Sequence, residues 1–568
     1  MKAFDIGLSA LRAQQLTLSV QGNNLANAAT PGYHRQVADL ASRAPLRDDR
    51  FSIGNGVAVA GVRRLQSTAI ETSLLRNSSE AGYSQQTEDL AKQIESLLTP
   101  GDASIHASLS KFFNRMEKVA NAPQDRTVRQ EFLSSASELM QGFNGLDRQF
   151  ASLERDVTLN LQDAVKQVNQ HVKDIAQLNS EIFRARTLGI TPNELLDRRD
   201  QIVSQLSEYM EVESRTLPNG QEETELAGGL VSIGTLPVAF RVLRDVNGTT
   251  GIAVNNLPTA MTLNSGRLAA MTTALNETIP EFTSRLRDLS RSIVQAVDQQ
   301  HAQGISDQGP ATVLLGNRGV SDISVPLGTS NPDFPISYGE LSVTVTDKTT
   351  GVRRTETITI DPDTDSLEDV ATKLSSISGV SASVDGVRRT LLIVATVPYS
   401  IDFAGRSDTP SDLTINNRPD ETGILAALGI GSLFEGSEPG TFNVRSEILE
   451  NPDQLAVSLS GLPGDGRNIS AMASLRDLRT DTLAGRTFTE ELADVTAESG
   501  LQVQTSESQN AQLQAFGQRL EIDRDAVSGV DINEEMLQLM QTQRAYQAAA
   551  KLINTADQML SELFQLVR

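Results

Sequence analysis

Near the start of the chain, apolar residues recur every seventh place at Phe4, Leu11, Leu18 and Leu25, with Leu8, Gln15 and Gly22 between them. Alternating steps of three and four describe a helix with one apolar seam, the pattern of a coiled coil. Counted from Ile532, the same template runs through Met536, Leu539, Gln543, Tyr546, Ala550, Ile553, Asp557, Leu560, Phe564 and Val567. Only Gln543 and Asp557 break it. Polar groups buried at those two places would set register and oligomeric state; the other reading is that they face solvent where the helices splay. At about 1.5 Å per residue the second helix would span roughly 54 Å and the first roughly 33 Å, so the longer one needs further partners.

Between the seams, residues 65–210 are polar, heptad-like and poor in β-branched runs, which predicts long helices packed as a bundle. Thr191-Pro192-Asn193-Glu194 reads as a helix start, with a capping threonine, proline at the first helical place and Ile190 and Leu195 set as a hydrophobic staple. Leu195, Ile202, Leu206 and Tyr209 would then share a face. Further helices are expected at 268–303 and 480–524. Thr216 to Leu263 is rich in Gly, Val and Thr and predicts a small sheet. A second β-rich region, about 310–465, contains LSVTVTDKTTGVRRTETITID as a hairpin and SLEDVATKLSSIS as a helix. VSASVDGVRRTLLIVAT follows as a second hairpin, turning at Asp385-Gly386. This is a β-β-α-β-β insertion.

The fold class expected is mainly α with β-rich insertions: terminal helices pairing as a coiled coil, a long helical bundle, and one or two outer β or α+β domains. Residues 1–35 and 525–568 would form the terminal domain. Residues 36–210, 265–305 and 466–524 would form the bundle, with a short β segment near 51–64. Residues 211–264 would be a small β region, and 306–465 an outer insertion.

With 72 acidic against 49 basic residues the formal net charge is -23, which argues against nucleic acid or an anionic membrane surface as the main partner. Cysteine is absent, which removes disulfides, thiolate metal sites and cysteine nucleophiles. No run of 18 apolar residues could span a membrane, and the first residues lack the apolar core and small-residue cleavage site of a secretory signal.

Candidate chemistry is thin. His34, His106, His171 and His301 are scattered without metal-ligand spacing and are expected at surfaces or interfaces. DPDTDS (361–366) starts like a calcium loop but has Ser366 where glycine is needed and Thr372 where a bidentate glutamate is needed, so a turn and a helix cap are expected. GLPGDGRN (461–468) lacks the Lys-Ser/Thr of a phosphate loop and is expected to be a turn before a helix. No catalytic, cofactor or metal residue is assigned, and the chain is not expected to be an enzyme.

NNLANAATPGYHRQ (23–36) places Asn23, Asn24 and Asn27 and the turn Pro31-Gly32 directly after the first seam. Locally this is a helix ending and reversing through a type II turn. The longer string LSALRAQQLTLSVQGNNLANAATPGYHRQ resembles the N-terminal signature of bacterial flagellar rod, hook and hook-associated proteins. SGVDINEEMLQLMQTQRAYQAAAKLINTADQML (528–560) resembles their C-terminal signature. IGNGVAVAGVRR, FFNRMEKVANAPQDRTVRQEFL, LLDRRDQIVSQLSEYMEV, VDQQHAQG and GDGRNISAMASL resemble the hook-associated proteins of the first type. Residues 305–460 carry no such likeness, and His34 stands where the family string more often has a small hydroxyl residue.

The resemblance implies a structural adaptor between flagellar hook and filament, exported without a cleaved signal and working outside the cell. Terminal helices would form an inner tube, with the bundle outside them and β-rich domains on the exterior. Implied partners are further copies of the chain, the hook protein, the second junction protein, and an export chaperone that masks the C-terminal seam. The assembly surface would comprise Leu11, Leu18, Asn23, Asn24, Leu25, Asn27, Pro31, Gly32, Tyr33, Met536, Leu539, Gln543, Tyr546, Ile553, Leu560 and Phe564, the three asparagines bonding to neighbouring backbones. Two uses of the seams stand open: an ordinary intramolecular hairpin, or ends weakly held by their own molecule and covered by sister copies. The resemblance favours the second. A hook or distal rod protein is the nearest alternative, and an enzyme inserted at 305–460 a remote one.

Overall fold

The computed structural model describes residues 2–44, 46–48, 51–99, 101, 104–409 and 418–566, with the backbone alone for 2, 3, 46–48, 51–53 and 563–566. In chain order, α1 (Lys2–Ala26) leads into strands β1 (Gln36–Ser42), β2 (Leu46–Asp48), β3 (Phe51–Ile53) and β4 (Val57–Arg64). Helices α2 (Thr68–Leu98), α3 (Ile105–Asn121), α4 (Arg126–Thr187) and α5 (Asn193–Ser207) follow. Then come β5 (Val212–Thr216), β6 (Glu222–Leu226), β7 (Val231–Ile233), β8 (Phe240–Arg244) and β9 (Thr250–Val254). Helix α6 (Gly266–Thr273) passes through a π-helical turn at Ala274–Thr278 into α7 (Ile279–Ala302). The wide turn precedes Pro280, which has no N–H to donate to an ordinary helical ladder.

The insertion holds β10 (Val313–Leu315), β11 (Gly339–Asp347), β12 (Arg353–Ile360), α8 (Leu367–Ser375), β13 (Val380–Asp385), β14 (Thr390–Ala395) and β15 (Tyr399–Asp402). Short α9 (Ile424–Leu428), β16 (Phe434–Glu435), β17 (Asn443–Val444), α10 (Ser446–Glu450) and α11 (Arg467–Ser474) return the chain to α12 (Phe488–Ser528) and α13 (Ile532–Leu566). The chain forms two compact units, residues 1–91, 156–276 and 503–568 in one, 92–155 and 277–502 in the other. The division falls inside α2, α4 and α12.

In the first unit the C-terminal half of α4 supplies a fully buried 3-4 seam of Leu161, Val168, Val172, Ile175 and Ile182. β5, β6 and β7 form one antiparallel sheet and β8 and β9 a second. The second half of α12 meets α2 through small and polar side chains. Asn510 Nδ2 donates to Gln85 Oε1 at 2.7 Å and to Glu88 Oε2 at 2.6 Å, and a side chain at Gly517 would strike Asn77. β1 and β4 pair antiparallel, with a register shift between Asp39 and Leu40.

In the second unit Phe112, Phe113, Phe132 and Phe488 are buried in ring contact, Phe113 and Phe488 stacking with centroids 6.2 Å apart. β11, β12, α8, β13 and β14 follow the expected β-β-α-β-β order, but β10 before them and β15 after them were not expected, and the six strands form two three-stranded sheets, β12-β11-β15 and β10-β14-β13. Ser366 and Asp369 close a reciprocal capping box at the start of α8, and Lys373 reaches Asp365, so DPDTDS is a turn and cap. The turn after Asp385 runs on to Arg389, whose φ is +57°, because the Asp385 carboxylate accepts from Val387 and Arg388 N–H. Fully buried Asp298 on α7 accepts from Leu433 N at 2.8 Å, Phe434 N at 2.9 Å and Arg318 Nη2 at 2.7 Å, fixing this helix to the chain returning from the insertion.

Three sequence expectations need correction. Thr191 does not cap α5 through its side chain; the helix opens after Pro192 without a side-chain cap, and Ile190 is exposed, so no staple forms. The Asn193 side chain is drawn instead to Gln36 Oε1 and Val62 O. The fully buried stripe of α5 is Leu196, Arg199, Val203 and Leu206, turned slightly from the expected line, of which Leu206 and Tyr209 are buried and Leu195 and Ile202 half-buried against Leu178, Ile182 and Leu196. The histidines are not all superficial: His34 and His301 are buried. His301 Nδ1 donates to Gly431 O at 2.7 Å while Nε2 accepts from Ala456 N at 3.1 Å, and burial lowers its pKa to about 4, so the ring is neutral.

Candidate assembly site at the chain ends

α1 lies antiparallel against α13, with Gly7 at Ala549 and Ile553 and Arg35 at Glu535. A Cβ on Gly7 would stand 2.8 Å from Ile553 Cγ1, so the close approach depends on glycine there. The residues of α1 that are fully covered are small or polar: Gly7, Ser9, Ala13, Val20, Gln21 and Asn24. On α13 they are Glu535, Thr542 and Ala549. Leu539, Tyr546, Ile553 and Leu560 complete the inner line as half-buried residues.

The heptad frame counted from Ile532 is therefore one residue off at alternate places. Thr542, Ala549 and Ala556 occupy the line expected to hold Gln543, Ala550 and Asp557, because small side chains let the backbones approach. Gln543 and Asp557 are exposed, and Met536 is 51 % exposed. The expected seam of α1 is left half-open: Leu8, Leu11, Leu18 and Leu25 are partly covered, and Phe4 is exposed. The side chain of Phe564 lies outside the described residues.

The asparagines expected to bond neighbouring backbones make hydrogen bonds within the chain. Asn24, almost fully buried, pairs with the backbone of Gln36, donating to its O at 2.9 Å and accepting from its N at 3.0 Å. Tyr33 OH donates to Asn24 Oδ1 at 2.8 Å, and Asn27 Nδ2 donates to Asn23 Oδ1 at 3.0 Å. Burial, then the charges of Asp197, Glu535 and Glu194, push the Tyr33 phenol up to about 12, so it remains a donor. The intervening turn is type II: Tyr33 N donates to Thr30 O at 3.2 Å, and Gly32 has φ +76°. Thus the polar string ends α1 and sets the start of β1. Pro31 and Gly32 remain exposed beside a groove of about 600 Å³ shared with Ser528–Asp531 and Glu534.

Arg35 fastens this turn to α13. Its N donates to Ser528 O at 2.9 Å, Nε to Glu535 Oε1 at 2.6 Å and Nη2 to Glu534 Oε1 at 3.2 Å. Burial opposes the guanidinium charge, but these carboxylates outweigh it and hold its pKa above the ordinary value.

Next to Arg35, His34 Nδ1 sits 2.8 Å from Asp197 Oδ1 and Nε2 sits 3.5 Å from Glu71 Oε1. Arg64 Nη1 donates to Asp197 Oδ1 at 2.7 Å and Asp200 Oδ2 at 2.8 Å. Arg199 continues the chain of charges to Asp200 at 3.2 Å and Glu222 at 3.7 Å, and Arg186 closes it on Glu222 at 2.8 Å. LLDRRDQ had been read only as part of a resemblance; Asp197, Arg199 and Asp200 prove to be its working residues. The family departure at His34 also acquires a physical setting.

Burial by itself would lower the His34 pKa, but the carboxylates of Asp197 and Glu71 overcome it and raise it from 6.5 to about 9. The ring is a buried imidazolium near neutrality. A raised folded pKa stabilises in full below 6.5, and that contribution disappears as pH climbs through about 9. The shift corresponds to about 3 kcal/mol. Denaturant melts between pH 6 and pH 10 should therefore show wild type losing about that much more stability than His34→Gln; parallel pH profiles would contradict it.

Comparison with known proteins matches residues 91–313 to the flagellar hook-associated protein FlgK helical domain. Residues 4–34 match the flagella basal body rod protein family, and 526–566 the flagellar basal body rod FlgEFG protein C-terminal family. Flagellar hook-associated protein 1 of Salmonella typhimurium is 25 % identical, covering 98 % of each chain. Its counterparts in Escherichia coli and Bacillus subtilis are 24 % and 22 % identical, again over 98 % of this chain. Among solved structures, the flagellar hook junction protein FlgK from Burkholderia pseudomallei shares the fold, with a TM-score of 0.50, 19 % identity, and coverage of 80 % of this chain and 100 % of that one. The chain thus has rod-family ends enclosing a FlgK helical segment, and it is similar to flagellar hook-associated protein 1 along almost its whole length.

Proposed function

We propose that this chain is a structural adaptor at the junction of the flagellar hook and filament, and that it works by packing. The observation that carries the reading is the pair of end helices. α1 and α13 meet through small residues and leave their larger apolar side chains half-open or exposed, among them Phe4, Leu16, Met536, Leu537 and Met540. Faces of that kind are completed by neighbouring helices. Sister copies would cover them in a ring. The alignment along nearly the full length of hook-associated protein 1 supports this reading over a hook or distal rod protein.

Adjoining layers in this reading are the hook protein on one side and the second junction protein on the other. Before assembly the chain travels to the cell exterior, its C-terminal helix masked by an export chaperone. No helix among the described residues is long and apolar enough to cross a membrane. Deleting the gene and imaging the cells should reveal hooks without filaments, with flagellin released to the medium. Filaments of ordinary number and length on those hooks would overturn the adaptor role.

A further inference from the structure

Methionines are sorted by location in this chain. Among the described side chains Met116, Met140, Met210, Met271 and Met472 are buried, and Met261 is half-buried. Met536, Met540 and Met559 are 51 %, 48 % and 62 % exposed, and all three lie on α13. The side of α13 turned to α1 is marked by Glu535, Thr542 and Ala549, so the three thioethers project from its free sides. Met536 and Met540 are one helical turn apart with exposed Leu537 between them, and Met559 lies about five turns further on. A thioether is flexible and polarizable, suited to apolar faces that must fit several differently shaped neighbours. It is also readily oxidised where exposed.

We propose that Met536, Met540 and Met559 are sites of reversible oxidation by peroxides or hypohalous acids, and that oxidation stops α13 from docking on a neighbouring copy of the chain. The proposal rests on the assembly reading above. A second copy is the occupant because the free side of α13 continues from the α1–α13 pair, whose Leu8, Leu11 and Leu18 are themselves only half-covered. In the peroxide reaction the thioether sulfur attacks one peroxide oxygen, the S–O bond forms as the O–O bond breaks, and water leaves. Sulfur loses two electrons and the peroxide gains them. On a solitary molecule each sulfoxide stays hydrated, so the fold is kept. Against a neighbour that water is stripped from a strong acceptor with no donor facing it, and docking weakens. Once covered in the assembly, the same sulfurs are shielded, so the sensitive form is the free chain.

The test uses the purified full chain treated with hydrogen peroxide. Peptide mass measurement should find oxygen added at Met536, Met540 and Met559 on the order of tenfold faster or more than at Met116, Met140 or Met472, with the far-UV spectrum unchanged. Treated and untreated protein are then added, with flagellin, to bare hooks from the deletion strain, and hooks bearing filaments are counted. Treated wild type should be reduced on the order of tenfold or more, and methionine sulfoxide reductases should restore it. A Met536→Leu, Met540→Leu, Met559→Leu variant should keep its untreated level after peroxide. Untreated wild type that builds no filaments would sink the assembly reading. Untreated and treated wild type that build equally, a reductase without effect, or a triple variant as sensitive as wild type would each sink the oxidation proposal.

Discussion

Arg199→Ala is expected to destabilise the unit that carries the chain ends by about 3–5 kcal/mol, the usual cost of removing one partner from a buried ionic network. Arg199 is 1 % exposed and joins four elements through one guanidinium. Nε donates to Asn179 Oδ1 of α4 at 2.7 Å, and Nη2 to Ser214 Oγ of β5 at 2.7 Å and Thr224 Oγ1 of β6 at 3.0 Å. Nη1 donates to Asp200 at 3.2 Å within α5 and faces Glu222 at 3.7 Å. Burial lowers the Arg199 pKa, the mark of a charge taken out of water and kept by its partners. Alanine would leave the buried Glu222 with Arg186 as its remaining cationic partner and Asn179 with an unmet acceptor. Exposed Arg198 provides the matched control, since Arg198→Ala removes the same charge at a cost within about 0.5 kcal/mol. Thermal melts should separate the two variants by on the order of 10 °C. Equal melting temperatures would show that the network is not holding the unit together.

That network marks the limit of what patterning reveals. Helices, sheets and the β-β-α-β-β order could be read from periodicity because burial of apolar faces is repeated along each element. The α8 cap was legible for a different, local reason: Ser366 and Asp369 sit at capping-box spacing. Arg199 was not, since nothing local to LLDRRDQ says that one of its two arginines turns inward; the decision is made by Asn179, Ser214 and Thr224, distant in sequence. The α13 frame failed for a related reason. Large apolar residues attract the eye when heptads are counted, whereas the two end helices meet on Gly7, Ala13, Thr542 and Ala549, whose value is their smallness. The asparagines of 23–27 were recognised as helix-ending residues, but their pairing with the Gln36 backbone required the position of β1.

Hydrogen exchange on the dilute protein is expected to be on the order of a hundredfold faster or more at the far ends of α1 and α13 than along the α4 seam. Leu161, Val168, Val172, Ile175 and Ile182 are each fully buried, and each contributes about 1.5–3 kcal/mol when covered. Against that, α1 covers Gly7, Ser9, Ala13 and Val20 completely, and α13 covers Thr542 and Ala549, side chains with little apolar area to hide. Most helical stability in a protein comes from tertiary packing of an apolar face, of which this pair has little. Protection should not be uniform along the pair. The Asn24–Gln36 backbone pair and the Arg35–Glu535 ion pair fasten its base, so exchange should accelerate from Val20 towards Phe4 and from Thr542 towards Leu560. Raising the concentration until copies associate should slow exchange at these tips first, because they carry half-open Leu8, Leu11 and Leu18 and exposed Met559. Strong, concentration-independent protection of Phe4–Val20 and Thr542–Leu560 would mean that the molecule completes its own seam. The ends would then have nothing left to offer a neighbour.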